Sequence, residues 1–215
     1  MKNITIIIVD DHSLFIEGVK LLLNQFNFIK IVHQALNGQE YLKLLEKVSP
    51  DIVLMDINMP VMDGVETTIR SKKLYPDIKI IALSMHDNID YYTRMTDAGV
   101  DGFVTKDTNA NELKLAINKV LNGEGYFSKK VLENVIQSLN KTQSDKTLKQ
   151  VVFSKRELEI LLEMARGLSN VEIAEQLFIS HRTVERHKEN MYKKTLCKNG
   201  ICLVVYAIKN KLVQL

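Results

Sequence analysis

The sequence predicts two domains: a doubly wound α/β domain with a parallel sheet, followed by a smaller domain built only from helices. Over residues 1–122, short β-branched runs alternate with stretches of helical periodicity, which is the pattern of a parallel sheet with helices on both faces. From residue 154 onward no strand pattern returns. The net charge changes from −3 over 1–122 to +4 over 151–215, so we expect the two domains to have different partners.

Five apolar runs of the first domain are predicted as the strands of a five-stranded parallel sheet. They cover residues 4–9, 29–35, 52–55, 78–83 and 102–105, and they are short and rich in β-branched residues, as buried parallel strands are. A helix is expected after each strand, at residues 14–25, 38–47, 64–73, 88–98 and 110–122. This alternation places the carboxyl ends of all the strands at one edge of the sheet.

The alternation of strands and helices stops at the turn over residues 122–125. We then expect an extra helix over 129–139 and a polar linker over 140–147. Four helices are predicted in the last part of the chain, at 155–166, 170–177, 181–194 and about 199–211. Ser154 and Ser180 are expected to cap two of them, Ser154 together with Glu157 in a capping box. The predicted domain boundaries are therefore 1–122, 123–150 and 151–215.

The composition is that of an ordinary globular protein, with 46% apolar and 26% charged residues. No apolar run approaches the roughly 20 residues that a membrane-spanning helix needs, and we expect a cytoplasmic protein without a membrane partner. Cys197 and Cys202 have no zinc-ligand pattern around them and are expected to be packing residues.

Polar residues follow four of the predicted strands at the point where each strand ends. Asp10 and Asp11 follow the first strand, Asp56 the third, Ser84 the fourth and Lys106 the fifth. Because ligands of an open parallel sheet bind outside the carboxyl ends of its strands, we expect these side chains to converge. Three acids beside one amine indicate a divalent cation and a phosphoryl group.

Mg²⁺ is the cation that this donor set predicts, because it takes oxygen ligands from one or two carboxylates and fills its octahedron with waters and phosphate oxygens. Asp11, Asp56 and the backbone carbonyl of Asn58 are the predicted protein ligands, with Asp10 acting through water. A carboxylate among other acids and beside a cation is also a plausible nucleophile. Asp56 is therefore predicted to accept the phosphoryl group as an acyl phosphate.

Two further groups complete this predicted phosphoacceptor site, and two neighbours are left out of it. Lys106 is expected to direct a positive charge toward the phosphoryl oxygens, and the Ser84 hydroxyl is expected to donate a hydrogen bond to them. Asp63 precedes Gly64 and is expected to be a turn or helix-cap residue. His12 is expected to be a solvated loop residue.

Residues 1–122 resemble the receiver domain of bacterial response regulators, which has a flavodoxin-like fold. The resemblance rests on VDDH at 9–12, LMDINMPVMDG at 54–64, ALS at 82–84 and AGVDGFVTKD at 98–107. It implies an acid pair, a phosphoacceptor, a switch hydroxyl, a switch aromatic residue and a site lysine, which fall on Asp10 and Asp11, Asp56, Ser84, Phe103 and Lys106.

Residues 153–213 resemble the LuxR-type helix-turn-helix domain. The resemblance rests on FSKRE at 153–157, GLSN at 167–170, EIA at 172–174 and LFIS at 177–180, with further matches along 183–194. Asp107 follows Lys106 where many relatives have Pro, and this pair is typical of the NarL/FixJ subgroup, which carries such a second domain. Relatives usually have Leu-Gly after the last lysine of the third helix, whereas this chain has Thr195-Leu196. Without glycine the end of that helix is expected to differ or to be strained.

The predicted helix over 181–194 is the DNA-reading helix by analogy with this family. A helix fits the major groove, where phosphate contacts fix its register and a few side chains read bases. The residues expected to face base edges are Glu185, Arg186 and Glu189. The residues expected to contact the DNA backbone are Arg182, Thr183, Lys188 and Lys193. The last helix often carries a dimer contact in the family, and ordinary core packing stays open as the alternative.

Together these features predict a DNA-binding transcriptional regulator that a sensor histidine kinase activates by phosphorylating Asp56. We expect Mg²⁺ as cofactor, promoter DNA as a partner, a homodimer when phosphorylated, and no enzymatic activity beyond phosphoryl transfer to the protein itself and its loss. One alternative is a receiver-type regulator that works without phosphorylation. Another is a Mg²⁺-dependent phosphohydrolase, although such enzymes generally have a general acid two residues after the nucleophile, where this chain has Asn58.

The resemblance also suggests how the two domains are coupled. Phosphate on Asp56 is expected to draw Ser84 inward, Phe103 is expected to follow, and the surface of the fourth helix and fifth strand then changes its partner. A contact between the domains is expected to hold the unphosphorylated protein closed.

Overall fold

The first domain is built on a parallel sheet of six strands. A computed structural model of the chain describes residues 4–27, 29–85, 89–133 and 151–213. The strands within these residues are β1 (Ile4–Val9), β2 (Ile29–Ala35), β3 (Ile52–Asp56), β4 (Lys79–Ser84), β5 (Gly102–Thr105) and β6 (Tyr126–Phe127). Their order is β2-β1-β3-β4-β5-β6, and every neighbouring pair is parallel. The strand order reverses between β1 and β3, which is where open α/β sheets bind ligands.

Helices cover both faces of this sheet. They are α1 (Ser13–Leu23), α2 (Gly38–Leu45), α3 (Gly64–Leu74), α4 (Ile89–Ala98) and α5 (Ala110–Leu121). On one face Ile8 and Leu54 pack in a cluster with Ile16 of α1 and with side chains of α5. On the other face Met55 lies in a cluster with Tyr92 of α4 and with side chains of α2 and α3. Successive residues of each strand therefore enter two different cores, which accounts for the nearly continuous apolar runs.

The second domain consists of α6 (Lys155–Ala165), α7 (Asn170–Gln176), α8 (His181–Thr195) and α9 (Gly200–Lys209). α6 begins with the predicted capping box: Ser154 Oγ accepts from the Glu157 N–H, and the Glu157 carboxylate accepts from the Ser154 N–H. Ser180 is the N-cap residue of α8, as predicted, and its Oγ accepts from the Thr183 N–H at 3.1 Å. Val184 and Met191 of α8 are fully buried in the core of this domain.

The end of α8 has an uncommon backbone conformation. Leu196 follows the helix with φ 60° and ψ 17°, which is the left-handed region. This region costs a residue with a Cβ about 1–2 kcal/mol. The side chain of Leu196 is 87% exposed, so little packing compensates. This agrees with the strain expected from the missing glycine.

The two domains contact each other through the start of α9. Asn199, the N-cap residue of α9, donates from Nδ2 to the backbone oxygen of Val100 at 2.8 Å. Ile201 is 1% exposed and belongs to the same apolar cluster as Tyr92 and Phe103 of the first domain. The start of α9 is thus packed on α4 and against Phe103 of β5.

Polar contacts flank this apolar interface. The Lys119 ammonium at the end of α5 donates to the backbone oxygen of Gly167. The Asn170 N–H at the start of α7 donates to the Glu124 carboxylate at 3.2 Å. The second domain is therefore held by the end of α5 and by the loop that follows it.

The predicted doubly wound sheet and the helical second domain are confirmed. The sheet has six strands rather than five, because Tyr126 and Phe127 pair with β5; a strand of two residues is too short to give a periodic signal. Residues 129–133 of the predicted extra helix are helical, and the rest of that helix and the predicted linker lie outside the described residues. Among the described helices, none is long and apolar enough to cross a membrane.

Candidate functional site

An acidic cluster lies at the carboxyl edge of the sheet, where β1 and β3 end. Asp10 follows β1 and is fully buried, and Asp56 ends β3 and is 4% exposed. The ammonium of Lys106, which follows β5, lies 2.6 Å from Asp10 Oδ2 and 3.0 Å from Asp56 Oδ2. The parallel register brings β3, β4 and β5 to an end at the same level. Residues that are distant in sequence therefore meet here, as predicted.

Burial sets the electrostatics of this cluster. The pKa of Asp56 is raised to about 6, mainly by desolvation; the Asp10 carboxylate adds to this rise, and the Lys106 ammonium opposes it. At pH 7 Asp56 is therefore mainly ionised, as a nucleophile must be. The Lys106 ammonium also lies 4.8 Å from the ring centroid of Phe15, a cation–π contact that helps to hold it over the site.

Asp11 and His12 extend the cluster toward solvent. His12 Nδ1 lies 2.9 Å from Asp11 Oδ1 and 3.3 Å from Asp10 Oδ1, although the His12 side chain is 64% exposed. One ligand atom from each of Asp10, Asp11, His12 and Asp56 lies within 4.8 Å of the others. Sequence reasoning left His12 out of the site as a solvated loop residue. The available signal was its position directly after two acids.

The predicted donors fit a small cation with oxygen ligands. Asp10, Asp11 and Asp56 bring three carboxylates together, and such hard oxygen donors are those that Mg²⁺ takes. Asn58, whose backbone carbonyl is the fourth predicted ligand, is exposed in the loop after β3.

The loop after β3 folds back closely against the end of β3, which carries Asp56. The Gly64 N–H donates to the backbone oxygen of Ile57 at 2.8 Å, and a Cβ on Gly64 would lie 2.1 Å from the backbone oxygen of Asp56. Only glycine fits at this position. Asp63 caps α3, because its carboxylate accepts from the Glu66 N–H at 2.7 Å, so the expectation that it is a cap residue is confirmed.

The two predicted switch residues lie on the strands next to the cluster. Ser84 ends β4 and is 4% exposed, and Phe103 on β5 is fully buried. The Phe103 ring packs edge-on against Tyr92 of α4, with ring centroids 5.3 Å apart, and stacks on Phe127 of β6 at 5.4 Å. Ile201 of α9 belongs to the same cluster. The switch aromatic residue is thus packed with the elements that carry the second domain.

Most of the predicted DNA contacts lie on one exposed face of α8. The exposed members are Arg182, Glu185, Arg186, Glu189 and Lys193, and Thr183 is half-buried. Together with Ser180, His187 and Asn190, three of them (Arg182, Thr183 and Arg186) line a shallow groove on this side of the domain. The contact with the first domain leaves this face open.

Lys188 does not agree with its predicted contact to the DNA backbone. It is 7% exposed, and its ammonium donates to Asn170 Oδ1 at 2.8 Å. Burial lowers its pKa, against the charges of nearby Glu124 and Glu185. Lys188 lies four residues after Val184 and three before Met191, so it is on the same buried face of the helix as these two residues.

Comparisons with known proteins identify both domains. Residues 6–118 match the family model of the response regulator receiver domain. Residues 151–207 match the family model of the bacterial regulatory proteins of the luxR family. This chain belongs to the response regulators. Receiver domains bind Mg²⁺ in general, and the acidic cluster of this response regulator supplies suitable carboxylates.

Two relatives share this organisation along their full length. The response regulator is 36% identical to the transcriptional regulatory protein DegU of Brevibacillus brevis, over 99% of this chain and 96% of DegU. It is 35% identical to the oxygen regulatory protein NreC of Staphylococcus epidermidis, over 97% of this chain and 99% of NreC. Both relatives belong to the NarL/FixJ family of transcription regulators, so this subgroup is confirmed.

Solved structures show the same architecture. The response regulator RcsB of Salmonella typhimurium matches with a TM-score of 0.62 and 26% identity, over 96% of this chain and 98% of RcsB. ChrA, the response regulator of a haem-sensing two-component system, matches with a TM-score of 0.56 and 26% identity, over 99% of this chain and 100% of ChrA. A structure of two RcsB dimers bound to two parallel DNAs matches with a TM-score of 0.60 and 25% identity, over 97% of this chain and 99% of that chain.

Proposed function

We propose that this response regulator accepts a phosphoryl group from a sensor histidine kinase on Asp56, and that the phosphorylated protein binds promoter DNA through α8 as a homodimer. The proposed phosphoryl transfer to Asp56 rests on one observation. The Asp56 carboxylate is buried, and its Oδ2 lies 3.0 Å from the Lys106 ammonium. A fixed positive charge beside an ionised nucleophile suits phosphoryl transfer, which depends mostly on positioning and charge neutralisation. We propose that the protein acts in the cytoplasm, because both the phosphodonor and the promoter DNA are found there.

The residues of the cluster divide the chemistry of the transfer between them. An oxygen of the Asp56 carboxylate attacks the phosphorus, the bond from phosphorus to the imidazole nitrogen of the donor breaks, and the imidazole leaves with the electron pair. Lys106 directs its ammonium toward the phosphoryl oxygens. Asp11, Asp56 and the Asn58 carbonyl would hold Mg²⁺, with Asp10 acting through water, and the bound cation would supply further charge neutralisation.

An apolar groove beside the cluster supports docking of the kinase. The groove has a volume of about 630 Å³ and is lined by α1 and by the ends of β4 and β5. Leu14 and Met85 on its rim are 88% and 72% exposed, and exposed apolar patches of this kind are typical of protein–protein contacts. Lys106 lines the groove as well. A kinase helix in the groove would therefore bring its phosphohistidine to the acceptor.

Phosphorylation is transmitted to the second domain through Phe103 in our proposal. The Ser84 hydroxyl, at the end of β4, donates a hydrogen bond to the transferred phosphoryl group. The sequence led us to expect that Phe103 then follows into the space that Ser84 vacates, and in this structure Phe103 is already fully buried. We therefore place the change in its packing against Tyr92 and Phe127, next to the buried Ile201 of α9.

In our proposal the contact between the two domains prevents dimerisation, and it leaves the DNA-reading face of α8 accessible. Arg186 and Glu189 of α8 are exposed while the domains are in contact. Ile201 and Val204 of α9 are only 1% and 4% exposed, and both line the junction with the first domain. Release of α9 would uncover an apolar surface for a second copy of the chain.

The test is the intact mass of the purified protein after incubation with Mg²⁺ and acetyl phosphate, for wild type and for Asp56→Asn. One added phosphoryl group on wild type alone is the expected result. Equal addition to the Asp56→Asn variant would overturn the assignment. No addition to wild type in Mg²⁺ would favour a regulator that works without phosphorylation, and multiple turnover of a phosphate ester would favour the phosphohydrolase.

A further inference from the structure

The side chain of His12 lies at the acidic cluster and is not used by its own helix. His12 is the N-cap residue of α1, but its side chain makes no capping hydrogen bond. Its backbone N–H donates to Asp10 Oδ1 at 2.9 Å, which fixes the residue directly after the end of β1. The imidazole is therefore held at the mouth of the cluster, where it also reaches solvent.

The imidazole and the carboxylates have the spacing of ligands around one cation. His12 Nδ1 lies 2.9 Å from Asp11 Oδ1 and 3.3 Å from Asp10 Oδ1. Neighbouring ligands of an octahedral cation with bonds of about 2.1 Å are about 3.0 Å apart, and opposite ligands are about 4.2 Å apart. One ligand atom from each of Asp10, Asp11, His12 and Asp56 lies within 4.8 Å of the others. Small shifts would therefore place the His12 nitrogen and the carboxylates of Asp11 and Asp56 around one ion.

One oxygen of the cluster has no hydrogen-bond donor. Asp11 Oδ1 is buried and lacks a hydrogen-bond partner within the described part of the chain, although His12 Nδ1 is only 2.9 Å away. The contact of Nδ1 with Asp10 Oδ1 is longer, and that oxygen already accepts from the His12 backbone N–H. Buried polar atoms normally have partners. A cation between Asp11 Oδ1 and His12 Nδ1 would be a partner for both atoms.

We propose that His12 is a nitrogen ligand of this cation site, and that the site therefore binds a divalent first-row transition cation more tightly than Mg²⁺. Imidazole nitrogen suits cations such as Ni²⁺ and Zn²⁺, whereas Mg²⁺ takes oxygen ligands. His12 coordinates as the neutral ring, with Nδ1 on the cation and the proton on Nε2. The inference rests on the proposed phosphoacceptor site, because Asp11 and Asp56 supply the other side-chain ligands.

The test compares Ni²⁺ with Mg²⁺, which carry the same charge, in calorimetric titrations of the full-length protein without an affinity tag. We expect Ni²⁺ to bind at least about tenfold more tightly than Mg²⁺. In His12→Ala the affinity for Ni²⁺ should fall at least about tenfold, and the affinity for Mg²⁺ should stay within about twofold. His181→Ala is the matched control, because His181 is an exposed histidine of α8 outside the cluster.

A spectroscopic measurement identifies the ligand directly. Paramagnetic Ni²⁺ should shift the ring-proton resonances of His12 by coordination and leave those of His181 in place. Asp56→Asn should weaken the binding of both cations, because the two cations share this ligand. Equal Ni²⁺ affinity of wild type and His12→Ala would overturn the role of His12 and leave the oxygen site standing. Unchanged binding of both cations to Asp56→Asn would overturn the cation site itself.

Discussion

The side-chain amide of Asn199 donates a hydrogen bond of 2.8 Å to the backbone oxygen of Val100. The Oδ1 of the same side chain accepts from the Cys202 N–H and so begins α9. Val100 is fully buried between α4 and β5. One side chain therefore caps a helix of the output domain and attaches that helix to the receiver.

We expect Asn199→Ser to loosen this attachment without removing the cap. Serine is a good N-cap residue, but its side chain is too short to reach Val100 as well. Loss of this part-buried hydrogen bond costs about 1 kcal/mol, so amide hydrogen exchange across α9 should become roughly fivefold faster. The control is Asn37→Ser, since Asn37 caps α2 within the receiver by accepting from the Glu40 N–H. Unchanged exchange in α9 would contradict the role of Asn199.

Gly125→Ala should loosen the contact between the domains by a steric route. A Cβ on Gly125 would lie 3.0 Å from Cγ1 and 3.1 Å from the backbone nitrogen of Ile201, so the start of α9 has to give by a few tenths of an ångström. We expect faster amide hydrogen exchange over residues 200–208. The control is Gly18→Ala in α1, where a Cβ meets nothing within 4 Å and should stabilise the helix by about 0.5–1 kcal/mol. Equal exchange of residues 200–208 in the two variants would show that Gly125 is not needed for close packing of the domains.

Asp56→Asn should stabilise the fold at neutral pH. Burial raises the pKa of Asp56 to about 6, so its contribution to stability is present below its unfolded pKa of about 4 and is lost as the pH rises through about 6. In the presence of a chelator, we expect the variant to gain about 1–3 kcal/mol at pH 7 and little at pH 4. Urea denaturation at both pH values measures this. Asp77→Asn, at an exposed position, is the control, and an equal gain at both pH values would contradict the cause.

Leu196→Gly should stabilise the output domain. The residue has φ 60° and an exposed side chain, so glycine relieves strain at little cost in packing. The expected gain in the free energy of unfolding is about 0.5–1 kcal/mol, measured by chemical denaturation. Leu21→Gly, at an exposed position inside α1, should instead lose about 1 kcal/mol. A loss in both variants would show that Leu196 is not strained.

The receiver site could be predicted from the sequence because few features determine it. Apolar runs fix the parallel strands, and parallel strands end together, so Asp10, Asp56 and Lys106 had to meet. The end of α8 could be predicted too, because the absence of glycine left Leu196 to adopt the left-handed conformation.

Other features depend on contacts that the sequence does not encode locally. The period of α8 already places Lys188 on the face of Val184, but its partner Asn170 lies on another helix. β6 is held by its pairing with β5 rather than by its own two residues. Each of these is decided by tertiary packing, which overrides local pattern.

The central claim is that phosphate on Asp56 releases α9 from the receiver. The most direct test is hydrogen exchange over residues 200–208 of the full-length protein, with and without acetyl phosphate and Mg²⁺, with intact mass recorded to give the phosphorylated fraction. We predict faster exchange in phosphorylated wild type and no change in Asp56→Asn. Unchanged exchange in fully phosphorylated wild type would contradict the account.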